Sequence, residues 1–125
     1  MKAVSAAILL FIASSAYAEL SSATNAVINQ ALSSGKPSVI DLGARTCVQC
    51  KKMAPILESL ANENRGRACV LFIDVHQDNA SAGRFRVQMI PTQIFFDAKG
   101  KEVKRHVGFM DKAAIVKELK AAGLK

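Results

Sequence analysis

The sequence predicts an α/β domain with a central mixed sheet of about four strands, flanked by helices on both faces. Three observations carry that expectation. A strand–helix–strand unit over residues 38–75 implies a parallel pair joined by a right-handed crossover. A strand, turn and strand over residues 92–107 implies an antiparallel hairpin. Short helical patterns precede and follow these units, so the element order is helix, strand, helix, strand, helix, hairpin, helix.

Each element has its own signal. Asn25 to Leu32 places Ala26, Val27, Ala31 and Leu32 among polar residues, and Gly35 follows as a stop. After Pro37, the run Ser38-Val39-Ile40-Asp41-Leu42-Gly43 is rich in β-branched residues and reads as a buried strand. Thr46 is expected as an N-cap, with a helix starting at Cys47. Met53, Ile56, Leu57, Leu60 and Ala61 recur at helical spacing up to Asn64, and Pro55 sits inside this helix. Ala68 to Val75 is a second apolar strand, and Asp78 to Phe85 suits a short helix. Thr92 to Phe96 and Lys101 to Val107 flank the turn Asp97-Ala98-Lys99-Gly100. Lys112 to Ala122 closes the chain with Ile115, Val116 and Leu119 facing inward. Phe72, Phe85, Phe95, Phe96 and Phe109 suit core positions, and Cys69 reads as a buried, inert thiol.

The chain has 125 residues, which suits one domain. Residues 1–18 read as a cleavable secretory signal, leaving 19–125 as the domain. Met1-Lys2 is a positive start, Ile8 to Ile12 centres an apolar stretch, and Ala16-Tyr17-Ala18 is an Ala-x-Ala cleavage pattern. Cleavage near Ala18 implies a periplasmic or otherwise secreted location, in an oxidising compartment. The net charge is +7, but the basic residues are scattered, with no series of aromatic residues interleaved among them to stack bases. That pattern argues against nucleic acid, which is bound through stacking aromatics beside cations. A solvated basic surface is the expected reading, and the chain is expected to act as a monomer.

The chemistry centres on Cys47-Val48-Gln49-Cys50. At a helix start, this spacing puts two thiols one turn apart. Cys47 lies among free backbone N–H groups that stabilise a thiolate, while Cys50 points to the same face but deeper. Zinc, a purely structural pair and redox chemistry each use such spacing. A structural zinc site needs four ligands, and only Cys69, His76 and His106 remain, with no ligand spacing among them. The two histidines read as surface or loop-edge residues. Copper held on the two thiols, with a histidine, is an alternative binding function, since soft thiolates suit copper(I). The redox reading needs no cofactor and no metal.

The stretch from Asp41 through Cys47 and Cys50 to Pro55 and Leu57 resembles the active-site segment of the thioredoxin family. Asp41 precedes Cys47 by six residues, where thioredoxins carry a buried acid. Pro55 follows Cys50 by five, and Ile90-Pro91-Thr92 matches the family's cis-proline loop. The resemblance covers nearly all of residues 19–125, although the family's optional first strand is not obvious. It implies a thioredoxin-like fold and a thiol–disulfide oxidoreductase acting on protein disulfides or dithiols. Cys47 would attack a substrate disulfide, Cys50 would resolve the mixed disulfide, and Asp41 would accept the Cys50 proton. Burial would raise the pKa of Asp41. Ile90, Pro91 and Thr92 would pair with an extended substrate as an added strand.

The departures from the family bear on redox potential. Thr46-Cys47-Val48-Gln49-Cys50 stands where thioredoxins usually have Trp-Cys-Gly-Pro-Cys, and the chain has no tryptophan. Val70 and Leu71 stand where a lysine usually faces the buried acid. A Cys-Val-x-Cys centre is similar to that of exported electron-carrying domains of thiol:disulfide interchange proteins. The resemblance therefore leans towards a reductant or electron relay, recharged by a membrane electron donor.

Overall fold

The computed structural model describes residues 19–125; the expected signal segment, residues 1–18, lies outside them. The described chain forms α1 (Asn25–Leu32), β1 (Ser38–Gly43), α2 (Val48–Glu63), β2 (Cys69–Asp74), α3 (Asn79–Arg84), β3 (Thr92–Phe96), β4 (Glu102–Val107) and α4 (Lys112–Ala121). The sheet order is β2-β1-β3-β4. β1 and β2 are parallel, and the other two pairings are antiparallel. Fold class and element order are those the sequence predicts.

Local chemistry sets the element ends. Thr24, Asp78 and Asp111 cap α1, α3 and α4 by accepting from the backbone N–H three residues on. At the β3–β4 turn, Asp97 Oδ1 accepts from Lys99 N at 2.9 Å and Lys101 N at 3.0 Å. Gly100 completes the turn at φ 77°, and a Cβ there would meet the Leu32 carbonyl oxygen at 2.4 Å. That position accepts only glycine, on both conformational and steric grounds.

β1 is buried along its whole length because helices cover both faces of the sheet. On one face Val39, Val70, Phe72 and Phe95 pack with Met53, Leu57 and Leu60 of α2 and Ile115 and Leu119 of α4. On the other, Ile40, Leu42, Ile73, Ile94 and Phe96 pack with Ile28 of α1 and, across α3, Ala82 and Phe85. Period-two alternation along each strand deals its side chains to the two clusters in turn.

Four expectations need correction. Cys47, not Thr46, caps α2, and the helix begins at Val48. Phe109 is 41% exposed rather than core, because it follows the chain reversal at Gly108 and precedes α4. Cys69 is half-buried, at the first position of β2, with its sulfur 3.7 Å from Ser34 Oγ. The segment before α1 does add to the sheet, although as one bridge, Ser22 to Phe72, rather than a strand. Ala23 N donates to Phe72 O at 2.7 Å, and Asp74 N donates to Ser22 Oγ at 2.9 Å.

Candidate active site

The site forms where β1 ends and α2 begins. Gly43 ends the strand, Ala44 to Thr46 carry the chain across, and Cys47 caps the helix start. The Cys50 backbone N–H donates to Cys47 Sγ at 3.3 Å, so the sulfur occupies the place a capping oxygen would take. Cys47 is half-buried and Cys50 is buried, and both are free thiols. Burial, then the neighbouring Cys47 sulfur, pushes the Cys50 thiol up to about 12. The fold thus separates a half-buried sulfur held by a backbone N–H from a sheltered one that resists ionisation.

Gly43 leaves room for the sheltered sulfur. A Cβ on Gly43 would lie 3.0 Å from Cys50 Sγ and 3.4 Å from Phe72 Cε2. The flank of Cys50 is closed by Arg45, whose guanidinium lies 4.5 Å from the Phe72 ring centroid. Arg45 also donates to Glu19 Oε2 at 3.0 Å and to Leu20 O at 2.6 Å. An arginine–phenylalanine stack thereby lines the cleft beside Cys50 in a chain without tryptophan.

Beneath the thiols, Asp41 is completely buried on β1. Burial pushes its carboxyl up to about 6, against the opposing pull of a hydrogen bond from Gln93. Gln93 Nε2 donates to Asp41 Oδ1 at 2.9 Å, and Gln93 is itself completely buried. Asp41 Oδ2 has no hydrogen-bond partner among the described residues. On its other side, Gln93 Oε1 lies 2.8 Å from His106 Nδ1. The three residues are cross-strand partners, Asp41 beside Gln93 and Gln93 beside His106.

The Ile90–Pro91 peptide bond is cis. Thr92, the first residue of β3, pairs with Leu42 near the end of β1, so this loop and the cysteines share one end of the sheet. Exposed apolar side chains sit on the segments meeting there: Val48 beside Cys47, Met89 before the loop, and Phe109 after β4.

The structure therefore places Asp41, Cys47 and Cys50 together, with Ile90, Pro91 and Thr92 at the same sheet end. His76 is exposed, as the sequence suggests. His106, expected at the surface or a loop edge, lies half-buried on β4 and is bonded to Gln93. Gln93 and Arg45 are absent from the sequence-derived site. Gln93 did carry a signal: it is the one amide in Thr92-Gln93-Ile94-Phe95-Phe96, as Asp41 is the one acid in an apolar strand.

The sequence profile of the thioredoxin family matches residues 19–121. The chain belongs to the thioredoxin family. Thioredoxin from Mycolicibacterium smegmatis is 44% identical over 93 residues, covering 73% of this chain and 82% of that protein. Thioredoxin from Mycobacterium tuberculosis is 43% identical over 88 residues, covering 70% and 75%. A bifunctional thioredoxin reductase/thioredoxin from Mycobacterium leprae is also 43% identical over 88 residues, but this chain spans only 19% of its length. Among solved structures, a point mutant of thioredoxin from Halobacterium salinarum superposes with a TM-score of 0.72 at 27% identity, covering 82% of this chain and 88% of that one. Chloroplastic thioredoxin z gives 0.71 at 26% identity, covering 84% and 95%. This thioredoxin-family protein is a thiol–disulfide oxidoreductase that acts on protein disulfides.

Proposed function

We propose that this protein works outside the cytoplasm as a reductant or electron relay, cycling Cys47 and Cys50 between dithiol and disulfide. The observation that carries the reading is the division of labour between the sulfurs. Cys47 caps the helix and is reachable, whereas Cys50 is buried with its thiol pushed up to about 12.

Cys47 thiolate attacks one sulfur of a substrate disulfide. That S–S bond breaks, and its second sulfur leaves as a thiolate that takes a proton from water. A mixed disulfide between Cys47 and the substrate remains. Cys50 must then lose its proton, and Asp41 Oδ2, buried and unpartnered beneath it, is the acceptor in this scheme. With its carboxyl near 6, Asp41 is largely ionised at neutral pH and close to the range where a general base is most effective. Cys50 thiolate attacks Cys47 Sγ, the substrate sulfur bonded to Cys47 leaves as a thiolate and takes up a proton, and two electrons have passed to the substrate. The Cys47–Cys50 disulfide then needs two electrons from outside. A membrane electron donor supplies them in this reading, because an oxidising compartment offers no ready pool.

Ile90, Pro91 and Thr92 are assigned to substrate alignment. Their position beside the end of β1, with Met89, Val48 and Phe109 exposed nearby, supports an extended peptide lying across that end. Location outside the cytoplasm rests on the signal-like pattern of residues 1–18.

The equilibrium potential of the Cys47–Cys50 couple tests the direction of electron flow. A value near about −270 mV fits a reductant, and one near about −120 mV would make the protein an oxidant instead. Stoichiometric, tight copper(I) binding by the reduced protein without disulfide reductase activity would favour a metal carrier. Fusion of residues 1–18 to a reporter active only after export tests location.

A further inference from the structure

The polar row across the α2/α4 face of the sheet extends beyond the thiols. Asp41, Gln93 and His106 are register partners on three adjacent strands and are bonded side chain to side chain. The row starts at a completely buried carboxyl and ends at a half-buried imidazole on the edge strand β4. Its middle member is a completely buried amide among Ile94, Phe95 and Phe96. A buried amide has no reason to sit there unless both of its ends are satisfied.

The amide gives the row a direction. An ionised carboxylate only accepts hydrogen bonds, so Gln93 must turn Nε2 to Asp41 Oδ1. That leaves Oε1, which only accepts, facing His106 Nδ1, so the imidazole must carry its hydrogen on Nδ1. Donor follows donor from the edge strand inward, and each bond strengthens the next. The row engages Oδ1 only, and Oδ2 remains without a partner.

We propose that Gln93 and His106 are positioning residues for Asp41. The His106 Nδ1–H polarises the Gln93 amide, and the amide holds the carboxylate ionised with Oδ2 free for the Cys50 proton. The proposal rests on the role given above to Asp41 in the resolving step. It differs from a lysine counter-charge, because β2 places Phe72, and not Val70 or Leu71 as the sequence suggests, beside Asp41 in the same row. Other ionisable groups also flank this side. α2 brings Cys50, with Cys47 at its cap, and Glu58, which is buried. β4 brings Lys104, two residues from His106 and exposed. α4 brings Lys112, which is engaged by Ser59 and Glu63. None of them hydrogen-bonds to Gln93 or His106, or to the Asp41 carboxylate.

The test uses the reduced protein, with carbon-13 titration of the Asp41 carboxyl and nitrogen-15 shifts of the His106 ring. Gln93→Leu removes the donor to Oδ1, and the Asp41 midpoint is expected to rise by about one pH unit. His106→Leu keeps the amide but removes its polarising donor, and a smaller rise, about half a unit, is expected. The His106 ring is expected to be protonated at Nδ1 in the parent and to lose that preference in Gln93→Leu. Lys104→Ala should change none of these. Unmoved midpoints in folded Gln93→Leu and His106→Leu proteins would overturn the proposal; if Gln93→Leu does not fold, His106→Leu decides alone. The acid limb of substrate release from Cys47 is measured on the same variants. A limb that shifts with the carboxyl supports both readings. A limb that stays put while the carboxyl shifts supports the row and removes Asp41 from the proton path.

Discussion

The two faces of the sheet use the same strands for opposite ends. On the α1/α3 face, Ile40, Leu42, Ile73 and Ile94 are completely buried and make an apolar layer. On the α2/α4 face, the same strands place Asp41 and Gln93, also completely buried, among Val39, Phe95, Met53 and Leu57. Each buried Ile or Leu contributes roughly 1.5–3 kcal/mol relative to exposure. A buried carboxyl works the other way, because ionising it there costs free energy that water would have supplied. One face is built on its apolar layer, and the other sets a buried acid and amide into its own apolar cluster, giving up stability at the place where a proton must move.

Substitutions on the two faces should consequently differ in sign. The largest effect is expected on the apolar face, where Ile40→Ala should lower stability by about 2–5 kcal/mol at any pH. Denaturant titration checks it, and the acid limb of thiol exchange should stay where it is. On the polar face, Asp41→Asn should raise stability. The Asp41 carboxyl is pushed from 3.8 up to about 6, so the folded protein holds that proton more tightly than the unfolded chain. Its contribution is fully present below pH 3.8, is lost as pH rises through about 6, and is flat above that. An uncharged Asn that still accepts from Gln93 avoids the loss. The expected gain is up to about 3 kcal/mol at pH 8, shrinking to nothing below about pH 4. Equal destabilisation at both pH values would break the comparison.

Two smaller effects sharpen it. Gly43→Ala crowds Cys50 Sγ from 3.0 Å, and the sulfur must yield. A loss of about 1–3 kcal/mol is expected, with a changed rate of Cys50 alkylation in the unfolding-free range. Glu19→Gln frees Arg45 from its ion pair, 3.0 Å long and half exposed. That should cost less than about 1 kcal/mol, and raising salt should erase the difference.

The element pattern was legible because its punctuation is local. Gly35, Pro37 and the Asp97-to-Gly100 turn stand between elements in sequence as in space. The cysteine pair and Asp41 were legible for the same reason: each is an anomaly within its own short segment. The cap was misplaced because a sulfur does the work usually done by the hydroxyl of a residue such as Thr46. Phe109 was misplaced because an aromatic residue after a glycine break reads the same whether it turns inward or outward. Gln93 and His106 were illegible for a different reason. Their meaning depends on the register between β1, β3 and β4, across sequence separations of 52 and 13 residues. No local pattern encodes that a glutamine on one strand will face an aspartate on another.

The most direct test of this account is the rate at which Cys50 releases substrate from a Cys47 mixed disulfide, followed from pH 5 to 9. The account predicts a rise with a midpoint near 6, set by the Asp41 carboxyl, and its disappearance in Asp41→Asn, where the rate climbs only towards the Cys50 thiol's own high range. The same midpoint in Asp41→Asn would contradict it.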